Sequence, residues 1–168
     1  MAVKGIKQRY QEADYINVKT GDTEAFELMN TGFTKIDDSP SAQTGSRRYV
    51  GDKSASKSIK GYDWTAPFEM DMIESQAAVS FIANIGRKEL TGDDAETEYI
   101  RVDLTGEKKG DGFPARKRRI AVEVSSFEDN DGELKGSGNL LGIGDWEEGY
   151  FDTSTKKFST GVEEAAVK

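Results

Sequence analysis

Three stretches of the sequence, and a scatter of carboxylate pairs, carry residue types that chemistry uses. Glu128-Asp129-Asn130-Asp131-Gly132-Glu133 gathers carboxylates in one turn, the oxygen ligands that hard cations take. Aligning Gly132 with the invariant glycine of a calcium loop puts Asp129 and Asp131 at the third and fifth ligand positions. The first position is then Phe127 and the twelfth is Gly138, where a bidentate Glu is needed, so the motif fails on spacing. Asp131-Gly132 between two apolar-alternating runs predicts a hairpin turn instead. Gly136-Ser137-Gly138-Asn139-Leu140-Leu141-Gly142-Ile143-Gly144 has the glycine density of a phosphate cradle. Such a cradle must open a helix, and Asp145-Trp146-Glu147-Glu148-Gly149-Tyr150 does not read as one. The glycines fit bulges or close backbone approach.

Arg116-Lys117-Arg118-Arg119 is the one dense basic cluster. Gripping nucleic acid would call for aromatics interleaved with the charges, and only Phe113 lies nearby. An acidic patch on a partner protein, or plain solvation, suits the cluster better. Carboxylate pairs occur at Asp37/Asp38, Asp93/Asp94, Glu147/Glu148 and Glu163/Glu164, but 31 acidic residues make such neighbours expected. On a strand, adjacent side chains point to opposite faces and do not share a proton.

Composition narrows the chemistry further. The chain has no cysteine and no histidine, which removes disulfides, thiolates, zinc–thiolate sites and Ser-His-Asp or Cys-His catalysis. At net charge −8 it is repelled by phosphate backbones. No stretch approaches the roughly 20 apolar residues of a membrane span, and the first residues lack the apolar core of a secretory signal. The sequence therefore predicts no catalytic, cofactor-binding or metal-binding residue, no enzymatic activity, no membrane insertion and folding in the cytoplasm.

The 168 residues suit one domain, 1–168, with 35% hydrophobic and 32% charged residues leaving much polar surface. Residues 1–25 read as a polar N-terminal arm, with Ile16 and Val18 suggesting at most a short strand. Phe26–Ile36 reads as a strand bent at Gly32. Residues 37–58 form the longest polar stretch and read as a loop, long enough to serve a partner. From Ile59 to Ile73 the apolar residues Tyr62, Trp64, Ala66, Phe68, Met70 and Met72 alternate with polar ones, predicting a strand with Pro67 at an edge or bulge. Ala78, Phe81, Ile82 and Ile85 recur with helical spacing, predicting one helix over about 76–88 with Ser75 as its N-cap. Strands follow over 97–104, 119–127, 133–143 and 148–152, and 160–168 reads as a C-terminal arm. The sum is a mainly β chain, an antiparallel β-sandwich or barrel with one flanking α-helix.

In order and spacing, several pieces resemble the major tail proteins, or tail tube proteins, of long-tailed phages infecting Gram-positive bacteria. They are Gly51-Asp52-Lys53, Ser58-Ile59-Lys60-Gly61-Tyr62 and Phe68-Glu69-Met70-Asp71, the long loop after Thr31-Gly32-Phe33, and Gly138 to Asp145 followed by Gly149-Tyr150-Phe151-Asp152 and Lys156-Lys157-Phe158. The resemblance implies a virion structural protein whose hexameric rings stack into a tube through which DNA is ejected without specific binding. It implies self-assembly in the host cytoplasm and partners in the tape measure, tail terminator and distal tail proteins. On this reading Arg47, Arg48, Tyr62, Trp64, Phe68, Arg116 and Arg118 are candidates for the subunit interface. The inner tube of a contractile system (a myophage tail, a phage-like bacteriocin or type VI secretion) would share this fold. From a different class, a β-sandwich binding carbohydrate or a host surface would need an aromatic platform in a pocket.

Overall fold

Period-two alternation governs most of the chain, and the computed structural model, which describes residues 5–19 and 22–160, is accordingly mainly β. In chain order the strands are β1 (Glu12–Asn17), β2 (Phe26–Leu28), β3 (Phe33–Ile36), β4 (Ala42–Arg47), β5 (Ser56–Tyr62), β6 (Thr65–Asp71), β7 (Glu96–Asp103), β8 (Phe113–Asn130), β9 (Glu133–Asp152) and β10 (Lys157–Ser159). Helix α1 (Ala77–Arg87) lies between β6 and β7. The main sheet runs β2-β1-β7-β8-β9-β6-β3, with β10 added to β9, while β4 and β5 pair only with each other. Every named strand pairing is antiparallel. No helix among the described residues is long and apolar enough to cross a membrane.

Strands β2 and β3 sit at opposite ends of this order, yet only residues 29–32 join them. Four residues reach about 14 Å at most, so the sheet must curl until its two edges nearly meet. Inside the curl lies the larger core, where Ile16, Phe68, Met70, Tyr99, Ile120 and Leu140 meet Val79 and Ile82 of α1. A second cluster of Tyr15, Phe26, Ile100, Val102 and Phe151 lies on the other face of β1 and β7. Tyr15 and Phe151 pack there with tilted rings, their centroids 4.5 Å apart. With apolar groups on both faces, β1 and β7 are buried nearly continuously rather than in alternation.

Several sequence expectations are corrected here. The proposed N-terminal arm contains β1, which pairs with both β2 and β7 and is as buried as any strand. The stretch 26–36 splits into two strands that go to opposite edges. The 37–58 loop contains β4 and the start of β5, a hairpin with few apolar residues and hence no strand signal of its own. Pro67 lies in an interior strand, since β6 pairs with both β9 and β3. Its carbonyl accepts from Asp37 N just past the end of β3, and the pairing resumes at Ser39–Thr65, so Pro67 costs that side a single donor. Ser75 does not cap α1: the N-cap position is Gln76, with no side-chain cap bond. Finally, β8 begins at Phe113, which lies opposite Phe151 and packs on the second cluster, and Lys117 meets Glu147 across the ladder at 3.8 Å. The C-terminal arm, beyond Thr160, lies outside the described residues.

The glycine-rich run is part of β9, not a phosphate cradle. A Cβ on Gly138 would come within 1.9 Å of the Glu123 carbonyl oxygen, beside the register shift at Val124/Ser126. Backbone, unlike a flexible side chain, has little room to move there. Gly138→Ala is predicted to destabilise by about 1–3 kcal/mol through overpacking, read as a lower urea midpoint, whereas Gly61→Ala, with no atom within 4 Å, serves as control. Equal midpoints for the two variants would contradict the close strand approach.

Candidate assembly surfaces

The β4–β5 hairpin is held at its root by charges that the sequence does not advertise. Asp38 precedes the hairpin and Trp64 follows it, and Trp64 Nε1 donates to Asp38 Oδ1 at 2.5 Å. Asp38 Oδ2 accepts from Arg116 Nη2 at 2.5 Å and lies 3.2 Å from Arg101 Nη1. The backbones of Ser39 and Thr65 close the root with two reciprocal hydrogen bonds of 2.9 and 3.0 Å. Behind this layer Arg101 is buried, its Nε 3.2 Å from Asp14 Oδ1. Asp14, also buried, accepts from the Tyr99 hydroxyl and from Arg9. Arg101 Nε and Nη1 are at ion-pair distance without hydrogen-bond alignment, so the contact there is electrostatic.

The electrostatics follow from this packing. Burial raises the Asp38 carboxyl, but the Trp64 hydrogen bond and the Arg116 and Arg101 guanidiniums outweigh it and hold its pKa below the usual range. Burial, with Asp14 beside it, lifts the Tyr99 phenol well above its ordinary value. Burial pulls Arg101 down, yet Tyr99, Asp14, Asp38 and Glu12 carry it upward on balance. Charges buried this way contribute little by existing, but removing one partner leaves the others uncompensated.

Trp146 extends the root outward. Its ring meets Trp64 edge-on at 4.8 Å, while Arg116 lies 4.3 Å and Arg118 5.4 Å from its centroid. At the register shift between Lys117 and Arg119, β8 passes through Arg118 alone while β9 passes through Gly144, Asp145 and Trp146, so the extra residues bulge from β9. Arg118 Nη2 donates to the Gly144 carbonyl at 2.5 Å, and its guanidinium lies where a Cβ on Gly142 would stand. Lys117 pairs with Glu98 at 3.3 Å and Arg119 with Glu96 at 2.6 Å. Each residue of the basic cluster thus has a polar or charged partner within the chain.

The seven interface candidates thus fall into three places. Arg47, Arg48 and Tyr62 are exposed on the hairpin. Trp64 and Phe68, at 3% and 1% exposure, are core residues, which corrects their expected role as anchors for a neighbour. Arg116 and Arg118 brace the hairpin root. Apart from Gly45 and Gly61, every residue from Ser41 to Tyr62 is exposed, including Tyr49, Val50, Ile59 and Tyr62. Main-chain groups are also left open, because the ladder between β7 and β8 ends at Ala121. From Val122 to Asn130, β8 has no strand partner on the side away from β9 among the described residues. Asp38 entered the sequence reading only as one of many carboxylate neighbours, and Arg101 and Trp146 were not singled out, because a lone Asp, Arg or Trp among polar residues carries no periodic signal.

No protein-family model matches the sequence, and no curated protein matches it. Among solved structures, the chain is similar to one in the cryo-EM structure of the anti-feeding prophage (AFP) baseplate, 6-fold symmetrised. The TM-score is 0.52 at 10% sequence identity, with 88% of this chain and 97% of that chain covered. At that identity the likeness establishes the shared fold.

A depressed carboxylate stabilises above its unfolded pKa of about 4, and that stabilisation is lost as pH falls through the lower folded value. Acidification below pH ~4 is therefore predicted to loosen the hairpin root and shift tryptophan emission as the Trp64 indole loses its carboxylate partner. Asp38→Asn should remove the part of that acid transition belonging to this carboxylate. An identical emission titration in the variant would show that Asp38 does not hold the root.

Proposed function

We propose that this chain is a ring-forming structural subunit of a phage-tail-like particle, working as an inner tube protein of contractile type. The observation that carries the reading is the likeness in fold to a chain of the AFP baseplate over 88% of this sequence. The surfaces suit the role. An open edge at β8 lets neighbouring copies pair strands, and a heterologous pairing that closes by rotation makes a ring. The six-fold symmetry named for that baseplate is the ring number we adopt. The hairpin, exposed on all sides, is the segment that reaches the next ring. Six copies at −8 each give an acidic tube that repels phosphate, so a polyanionic cargo slides through without sticking. The role is mechanical and needs no catalytic residue.

A second reading is the tube of a non-contractile phage of Gram-positive bacteria, supported by the sequence resemblance at Gly51-Asp52-Lys53, Ser58–Tyr62 and Gly138–Asp145. It predicts the same rings without a surrounding sheath, and copurification with a sheath subunit decides between the two. A carbohydrate-binding module is disfavoured, because its aromatic platform would draw on Trp64 and Phe68, which are spent in the core.

The test of the common reading is negative-stain microscopy of the concentrated protein, expected to show rings or tubes. Replacing residues 42–62 with a short turn, while keeping Asp38 and Trp64, is expected to leave a folded subunit that no longer stacks. Ordinary tubes from that variant would remove the hairpin from the stacking contact, and persistent monomers of the unaltered chain would remove the tube.

A further inference from the structure

The cations of the folded body mostly meet carboxylates, but those of the hairpin do not. Ion pairs engage Lys7, Arg9, Arg101, Arg116, Lys117 and Arg119. Arg47, Arg48, Lys53, Lys57 and Lys60 have no carboxylate within 4.0 Å among the described residues. With Asp52 the only acid between Ser41 and Tyr62, this segment carries five basic residues against one acidic, or +4, leaving −12 for the rest of a chain at −8. Tyr49 and Val50 stand exposed among these charges, Tyr49 at 62%.

A complementary surface lies at the other end of the molecule. Strand β6 leaves the hairpin root at Thr65, opposite Leu141, and ends at Asp71, opposite Lys135. Its length places roughly 20 Å between the root and the turn that joins β8 to β9. That turn carries Glu128, Asp129, Asp131 and Glu133 with no basic residue from 128 to 134, or −4. Exposed Leu134 and Ile73 sit beside it, where Met72 N donates to the Leu134 carbonyl at 3.1 Å. One end is thus basic around exposed apolar groups, and the opposite end is acidic around exposed apolar groups.

Building on the tube reading, we infer that the hairpin of one copy docks on the β8–β9 turn of a second copy. The basic rim meets the acidic rim, while Tyr49 and Val50 cover Leu134 and Ile73. Opposite charge steers the encounter and sets its direction, and burial of the apolar centre holds it. The partner is another copy of this chain rather than nucleic acid, because among the described residues the turn matches the hairpin in both charge and apolar centre, whereas a phosphate backbone matches its charge alone.

The test reverses each end separately and then together, with circular dichroism to confirm folding. Arg47→Glu/Arg48→Glu/Lys53→Glu and Glu128→Lys/Glu133→Lys leave untouched Asp129, whose Oδ1 accepts the Gly132 N–H at 2.8 Å and shapes the turn. Each reversal alone should raise the protein concentration needed for tube growth by about tenfold or more. The chain carrying both should regain tubes, and added salt should weaken wild-type stacking. Single reversals that stack normally, or a combined variant that stays inert although folded, overturn the pairing. So does a hairpin reversal that abolishes binding of duplex DNA while tubes form as before. A wild-type chain that forms no ring or tube fails the tube reading itself, a result distinct from tubes that ignore the reversals.

Discussion

The four residues between β2 and β3 are the constraint on which the rest depends. Two strands at opposite edges of one sheet are tied by a connection too short to cross a flat sheet, so the sheet has to close on itself. Closure creates the inside, and the inside admits one helix. Because α1 packs there, Gly86 approaches Val124 and Phe127 of β8 closely. The same closure gives the molecule two distinct ends, one carrying the β4–β5 root and the other the β8–β9 turn. A flat sheet of the same strands would leave β2 and β3 as bare edges inviting unplanned pairing.

Within that frame, polar groups divide by where they stand. Asp14, Arg101 and Tyr99 are buried between the sheet and the hairpin root, where a missing partner is costly and orientation is therefore strictly set. The hairpin beyond the root has no packing of its own to hold its direction. Its aim relative to the body comes from Asp38, Trp64, Arg116 and the short Ser39–Thr65 ladder. A segment that must meet a neighbour at a fixed place benefits from a rigid base and a free tip, and the charges are distributed in that way.

Much of this was legible in the sequence, and the misses have physical reasons. The single helix, the alternation in β6, the Asp131-Gly132 turn and the mainly β class follow from period and turn chemistry, which are local. The splitting of 26–36 was not legible, since nothing local tells Phe26 and Phe33 that they belong to opposite edges. Strand β1 was hidden because Glu12, Asp14 and Asn17 make it look polar, while the partners that justify their burial lie about eighty residues away in β7. Strand β4 was hidden because it is exposed on both faces and owes its conformation to β5 rather than to a core. At the candidate surface, Arg47, Arg48 and Tyr62 are exposed. Trp64 and Phe68 are buried, and the sequence could not show it, because an aromatic stripe reads the same whether it faces a core or a neighbour.

The separation of charge also bears on how copies are allowed to meet. Two basic hairpins face each other as +4 against +4, and two acidic turns as −4 against −4, so symmetric pairings of either end are repulsive. Only the unlike ends attract, so the proposed contact is heterologous and would give a growing assembly one direction. Lysines along β5 and around the tip further discourage the hairpin edges from recruiting strands at random. Exposed Tyr49, Val50, Ile59 and Tyr62 are thereby kept from indiscriminate association, since any apolar contact made through them must first satisfy the charges around them. In the proposed assembly, specificity would rest on what the like ends refuse as much as on what the unlike ends accept.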